Sequence, residues 1–162
     1  MKKCVILLLA ALLLSGCATQ ETYETIADEI LVPVLAQPKE IYVELPGEAA
    51  LPAMETDNGR AYLCQDYEIY LQTLEGGDME ETVRTLSGYD MEGLTVLETR
   101  QGDMDRYEFV WASAGETGDR LGRAVVLDDG SYHYTLSILR DQSTTEASQI
   151  VWDDIFGSFT AG

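Results

Sequence analysis

Histidine occurs once in this 162-residue chain, at His133, and cysteine only three times. A single histidine excludes H-E-x-x-H and every multi-histidine zinc site. There is no C-x-x-C, G-x-S-x-G, P-loop or G-x-G-x-x-G stretch, so the common signatures of dithiol, acyl-transfer, phosphate and dinucleotide chemistry are missing. Basic residues are scarce: 10 Lys and Arg stand against 29 Asp and Glu, a formal net charge of -19. That balance opposes nucleic-acid binding and electrostatic attachment to anionic lipid, because both need a Lys/Arg surplus. Long apolar runs are absent too. The longest, Val5 to Leu14, has ten residues, which is signal-peptide length and well short of the ~20 needed to span a bilayer.

What is present begins with that run. Lys2 and Lys3 precede it, and the segment Leu14-Ser15-Gly16-Cys17 follows it. This segment resembles the bacterial lipobox, in which the cysteine thiol is lipidated and the leader is cut just before it. The resemblance implies that residues 1–16 are a removed lipoprotein signal peptide and that Cys17 becomes the mature N-terminus. Its partner would be membrane lipid, reached through acyl chains on Cys17. An ordinary secretory leader with a coincidental cysteine, or an uncleaved anchor, are the alternatives. One acyl chain binds marginally, at ~0.8 kcal/mol per buried methylene, whereas two or three hold stably. The expected location is the extracytoplasmic face of a cell membrane, by lipid anchor.

From Cys17 on, 146 residues remain, enough for one domain with its own core. Loss of the leader leaves 8 basic residues (10 less Lys2 and Lys3) against 29 acidic ones, a net charge of -21. Solubility accounts for such a charge; cation binding or a basic partner is the sharper reading. Cys4 leaves with the leader and Cys17 is modified, so Cys64 has no partner for an intramolecular disulfide. The domain must then stand on packing alone.

Residues 17–40 read as a tether carrying an amphipathic stripe at Tyr23, Ile26, Ala27, Ile30 and Leu31, ended by Pro33. Residues 41–162 read as the globular domain. Ile41 to Leu45 alternates as a strand, and 46–59 is a loop ending in an Asn-Gly turn signal. Strands are predicted at about 61–66 and 68–74, bent near Asp66. Asp78 with Glu81 is a capping-box variant that opens a helix over 79–87, with Met79, Val83 and Leu86 inward and Gly88 closing it. Strands at 94–100 and 106–113 follow, the second presenting Tyr107, Phe109 and Trp111 on one face. Asp129-Gly130 marks a hairpin between strands at about 123–127 and 131–140. Ser143 to Glu146 fits a capping box for a closing helix lined by Val151, Trp152, Ile155, Phe156 and Phe159. The fold class is α+β, an antiparallel sheet of about five to seven strands packed with an internal helix and a C-terminal helix.

The order of strands, helix, four-strand meander and terminal helix ending in "IFGSF" (155–159) resembles the PsbP-like α/β sandwich. It also resembles small bacterial lipoproteins of unassigned function in which a "DDGSYHY"-type hairpin precedes such a helix. The likeness covers about residues 40–160 and implies non-enzymatic adaptor or assembly roles. It supplies no binding motif to carry over.

Candidate chemistry is sparse. Cys64 and His133 would make a nucleophilic pair only if their strands lie side by side. Ser137 and His133, four apart on one strand, sit ~13 Å from each other, too far for proton transfer. Asp103 and Asp105 beside Gly102 are a loose calcium candidate lacking the D-x-[DN]-x-[DN]-G loop. Asp128-Asp129 fits turn chemistry, and Asp153-Asp154 should face water. If helices cover one side of the sheet only, Tyr62, Tyr70 and His133 are candidates for an exposed aromatic surface. The reading is a non-catalytic binding or adaptor domain recognising a protein or envelope component, with no cofactor, no metal and no nucleic acid. A small-ligand or cation carrier with a pocket between sheet and helices is the alternative.

Overall fold

The computed structural model describes residues 36–115, 118–141 and 147–162, and residues from Ala36 on form one compact unit. The chain runs β1 (Ile41–Tyr42), β2 (Met54–Thr56), β3 (Gly59–Leu63), β4 (Tyr67–Glu75), α1 (Met79–Ser87), β5 (Val96–Gln101), β6 (Met104–Gly115), β7 (Gly118–Asp128), β8 (Tyr132–Asp141), α2 (Ala147–Ser158) and β9 (Thr160–Ala161). Seven strands form one sheet in the order β2-β3-β4-β8-β7-β6-β5, and every neighbouring pair is antiparallel. This is an α+β domain, with an antiparallel sheet and two helices.

Strand alternation sorts the side chains onto two faces. Tyr67, Ile69 and Leu71 of β4, Leu136 and Ile138 of β8, and Val125 and Leu127 of β7 cluster with Trp152, Ile155 and Phe156 of α2, and with Phe159 just beyond it. On the opposite face, Phe109 and Trp111 of β6 with Ala124 and Val126 of β7 cluster around Val83 of α1, with Met79 and Leu86 packed against them. Each sheet face therefore carries one helix. Central strand β8 is buried over most of its length on both faces, as expected when no face of it meets water. A fully buried large apolar side chain contributes ~1.5–3 kcal/mol, so the α2 face, with Phe156, Phe159, Leu136 and Ile138 all buried, carries the larger share.

Helix α1 starts where Asp78 caps it, accepting from the Glu80 N–H at 3.0 Å, and stops at Gly88 with φ +79°. A left-handed residue there needs no Cβ, which is why glycine ends the helix. Close packing dictates a second glycine. A Cβ on Gly122 would fall inside the Trp111 ring, which lies across β7.

The two ends of the unit meet. Ile41 and Tyr42 pair with Ala161 and Thr160, and Glu40 and Gly162 exchange backbone hydrogen bonds of 3.1 and 3.3 Å. The Lys39 N–H donates to the Tyr134 hydroxyl and the Tyr132 hydroxyl donates to the Ala36 carbonyl. Ile41, Val43 and Leu45 then seal the edge of the larger core.

Several boundaries differ from the sequence expectation. The strand predicted over 41–45 ladders for two residues only, because its partner β9 has only two. Within the predicted 46–59 loop, β2 pairs with β3 across Asp57-Asn58. Gly59 lies in the strand, where a Cβ would strike the Leu71 carbonyl. At the β7–β8 connection the Asp129 N–H donates to the Tyr132 carbonyl at 3.2 Å, so Gly130 (φ +86°) and Ser131 form the tip, one residue later than predicted. Strand β7 begins at Gly118 rather than near 123. The capping box at 143–146 lies outside the described residues.

Candidate functional site

The lipidation segment Leu14, Ser15, Gly16 and Cys17 and the apolar stripe from Tyr23 to Leu31 lie outside the described residues. Among the described residues no helix is long and apolar enough to cross a membrane.

Within the domain the structure separates the residues that chemistry would need together. The Cys64 N–H donates to the Tyr67 carbonyl, and Tyr67 stands seven rungs from Leu74, the partner of His133, or ~23 Å along the sheet. A Cys64/His133 pair is therefore ruled out by distance. Burial raises the Cys64 thiol pKa above its ordinary value, with a smaller push from Glu48 and partial relief from the Tyr67 hydrogen bond, so the thiolate is disfavoured.

The aromatic surface proposed for Tyr62, Tyr70 and His133 does not form. Tyr62 is buried in the α2-side core. Tyr70, on the other face, donates to Glu68 at 2.6 Å, and burial with that carboxylate pushes its pKa up to about 12. His133 is 1% exposed, because the sheet has a helix on this face as well. Its Nδ1 lies 2.8 Å from the Thr82 hydroxyl of α1. Its Nε2 has no hydrogen-bond partner and stands 3.7 Å from Asp128 Oδ2.

The acidic pairs serve the frame. Asp128 accepts from the Gly130 N–H. Asp129 accepts from the Ser131 and Tyr132 N–H groups and from the Tyr134 hydroxyl. Burial alone would raise the Asp129 pKa, but those donors, with the Lys39 charge, outweigh it and hold the carboxyl below the usual range. Asp103 faces Lys39 at 3.4 Å and Asp105 faces Arg100 at 3.6 Å.

The geometry that does gather chemically useful groups is a cleft of about 630 Å³ between α2 and the β6–β7 ladder. Val110, Leu121 and Trp152 supply its apolar walls, and Arg123 and Arg140 its positive charge. Register explains the assembly. Val110 pairs with Arg123, Ala112 with Leu121 and Leu121 with Arg140, so alternate residues of three strands converge on one patch beside the helix. Arg123 donates through Nε at 2.9 Å to Glu108 and through Nη1 at 2.7 Å to Asp153, while its guanidinium lies 4.5 Å over the Phe156 ring. Arg140 stacks 4.9 Å over the Trp152 ring. The indole Nε1–H of Trp152 is buried without a hydrogen-bond partner.

Two carboxylates and two guanidinium groups line this cleft, so it is locally neutral in a strongly acidic protein. Its polar groups other than Glu108 and Asp153 are donors, and both carboxylates are held by Arg123. Such a lining accommodates an apolar group that carries a hydrogen-bond acceptor. Asp153 was expected to face water, and it does so at 71% side-chain exposure while also binding Arg123. The cleft itself escaped sequence reading, since Arg123, Arg140 and Trp152 lie on separate elements that only the sheet register brings together. A second open cleft of about 420 Å³ lies between Pro38–Ile41 and the β2–β3 hairpin, lined by Glu55, Asp57 and Glu75 with Lys39 and Arg60.

No protein-family model matches the chain, and no curated protein matches it. Among solved structures, the chain is similar to a Bacteroides thetaiotaomicron VPI-5482 protein whose crystal structure was determined at 1.50 Å resolution. That likeness covers 78% of this chain and 49% of the other, at 8% sequence identity and a TM-score of 0.49. The chain thus spans about half the length of the protein it resembles.

Proposed function

We propose that this protein is a lipid-anchored, non-catalytic binding domain on the extracytoplasmic face of a bacterial cell membrane, with a PsbP-like sandwich as its fold. The anchor rests on the Leu14-Ser15-Gly16-Cys17 segment behind a ten-residue apolar leader. An antiparallel sheet with one helix on each face supports the fold assignment.

The observation that carries the binding reading is the cleft of Val110, Leu121 and Trp152 with Arg123 and Arg140. Its occupant is an apolar side chain or acyl group that packs against Val110, Leu121 and Trp152. This favours a pocket between sheet and helix over an exposed aromatic sheet face as the means of recognition. The two carboxylates in the cleft are bound to one guanidinium, which makes them part of its wall.

The test is site-directed photocrosslinking of the intact protein in its own cells, with p-benzoylphenylalanine at Val110 in the cleft and at Leu63 as an exposed control. A discrete adduct from position 110 that is absent from position 63 is the expected result. Equal labelling at both positions, or none at 110, contradicts the reading.

A further inference from the structure

Among the described residues no strand pairs with the outer side of β5, the last strand of the sheet. This edge is six residues long and contains no Pro, Gly or Lys, whereas β2 at the other edge has three residues. Long unpaired edges invite pairing unless something blunts them. Leu97 is 58% exposed on β5, and Val110 on the adjoining strand is 59% exposed. Both belong to the α2 face of the sheet.

The hairpin fixes which backbone groups are free. β5 and β6 are joined by the two residues Gly102 and Asp103, with Gln101 opposite Met104, so Gln101 and Met104 form the hydrogen-bonded pair that closes the turn. Alternation then points the N–H and C=O groups of Leu97, Thr99 and Gln101 at β6, and those of Val96, Glu98 and Arg100 outward.

We infer that β5 pairs antiparallel with β5 of a second copy of this chain, about a two-fold axis at Thr99, with Glu98 of each copy opposite Arg100 of the other. The charges select this register. Outward groups allow pairing centred on Leu97, Glu98, Thr99 or Arg100. Centring on Glu98 or on Arg100 sets like charges against each other, and centring on Leu97 sets Glu98 against Val96. Only centring on Thr99 opposes unlike charges, twice, and it leaves Thr99 facing Thr99 as a non-hydrogen-bonded pair.

Arg100 already lies 3.6 Å from Asp105 across the β5–β6 ladder. Pairing extends this into a row in which each Arg100 lies between Asp105 of its own copy and Glu98 of the other. The contact is isologous, as a two-fold dimer requires. A single short edge buries less than the ~1,200–2,000 Å² of a stable complex, so the dimer is weak and concentration-dependent. Neither the lipid anchor nor the cleft is needed for it.

The test is oxidative crosslinking of the full chain carrying Cys4→Ser, Cys17→Ser and Cys64→Ser, comparing Thr99→Cys with Leu97→Cys. Thr99 faces its own copy in the predicted register, at a Cα separation of ~4.5 Å that a disulfide spans. Leu97 faces Gln101 and stands ~13 Å from its own copy. Covalent dimer with Thr99→Cys and monomer with Leu97→Cys is the expected result; equal crosslinking of the two, or none at Thr99, overturns the inference. Sedimentation of variants without introduced cysteines gives a second readout. Glu98→Arg should weaken self-association about 10-fold, and adding Arg100→Glu should recover it. Unchanged association in Glu98→Arg would overturn the register.

Discussion

The two faces of the sheet hold their helices by different means. Under α2 the contact is mainly a broad apolar core, including Ile69, Leu136, Ile138, Ile155, Phe156 and Phe159. At its margin the Arg123–Glu108–Asp153 network leaves a cleft open beside the helix. Under α1 the core is smaller, and a buried hydroxyl–imidazole contact between Thr82 and His133 sits within the helix–sheet junction. The difference teaches where binding is compatible with stability. The α2 side has enough buried area to tolerate an unfilled margin, while the α1 side depends on close fit at a few atoms.

The largest expected effect comes from the α2 core. Phe156→Ala should destabilise the domain by ~3–5 kcal/mol, measured by chemical denaturation, since it empties a fully buried ring site and removes the surface on which Arg123 lies. A loss under 1 kcal/mol would show that this face is not the main core. On the other side, Gly122→Ala should cost ~1–3 kcal/mol, because the new methyl meets the Trp111 ring. If it costs nothing, close packing does not govern the α1 face. Thr82→Val removes the partner of His133 Nδ1 and should cost ~1–3 kcal/mol. A double-mutant cycle with His133→Phe should return part of that loss, and strict additivity would rule out coupling between helix and sheet through this pair.

The smallest effect concerns the Asp129 turn, beside the segment from Ala36 to Ile41. Asp129 is held below its ordinary pKa, so its stabilising contribution is full above the unfolded carboxylate range and is lost as pH falls through the lower folded value. Wild type should therefore exceed Asp129→Asn by ~1 kcal/mol at neutral pH, with the gap closing below about pH 4. A gap that grows on acidification would reverse the assigned sign.

Much of this frame was legible in the sequence because local chemistry wrote it there. Asp78 and Gly88 bracket α1 at the predicted residues. Trp152, Ile155 and Phe156 are buried as the helical period requires, whereas Phe159, expected on the same helix, is buried just past its end at Ser158. The Asp-Gly hairpin was found to within one residue, since its exact tip depends on which Asp oxygen captures which N–H group. What the sequence did not disclose depends on contacts between distant segments. The β1–β9 closure joins residues more than a hundred positions apart. Whether His133 faced solvent or a helix could not be read from the sequence, because nothing local announces that α1 folds over it. Arg123 and Arg140 become neighbours of Trp152 only after three strands align in register. The Asp128-Asp129 pair was legible as turn chemistry, and both carboxylates accept turn N–H groups.

Intact-mass analysis of the native protein, extracted with detergent from its own membranes, tests the anchor most directly. A product that starts at Cys17 and carries the added mass of a diacylglyceryl group, with or without a further acyl chain, is the predicted result. A free thiol at position 17, or residues 1–16 still attached, would contradict it.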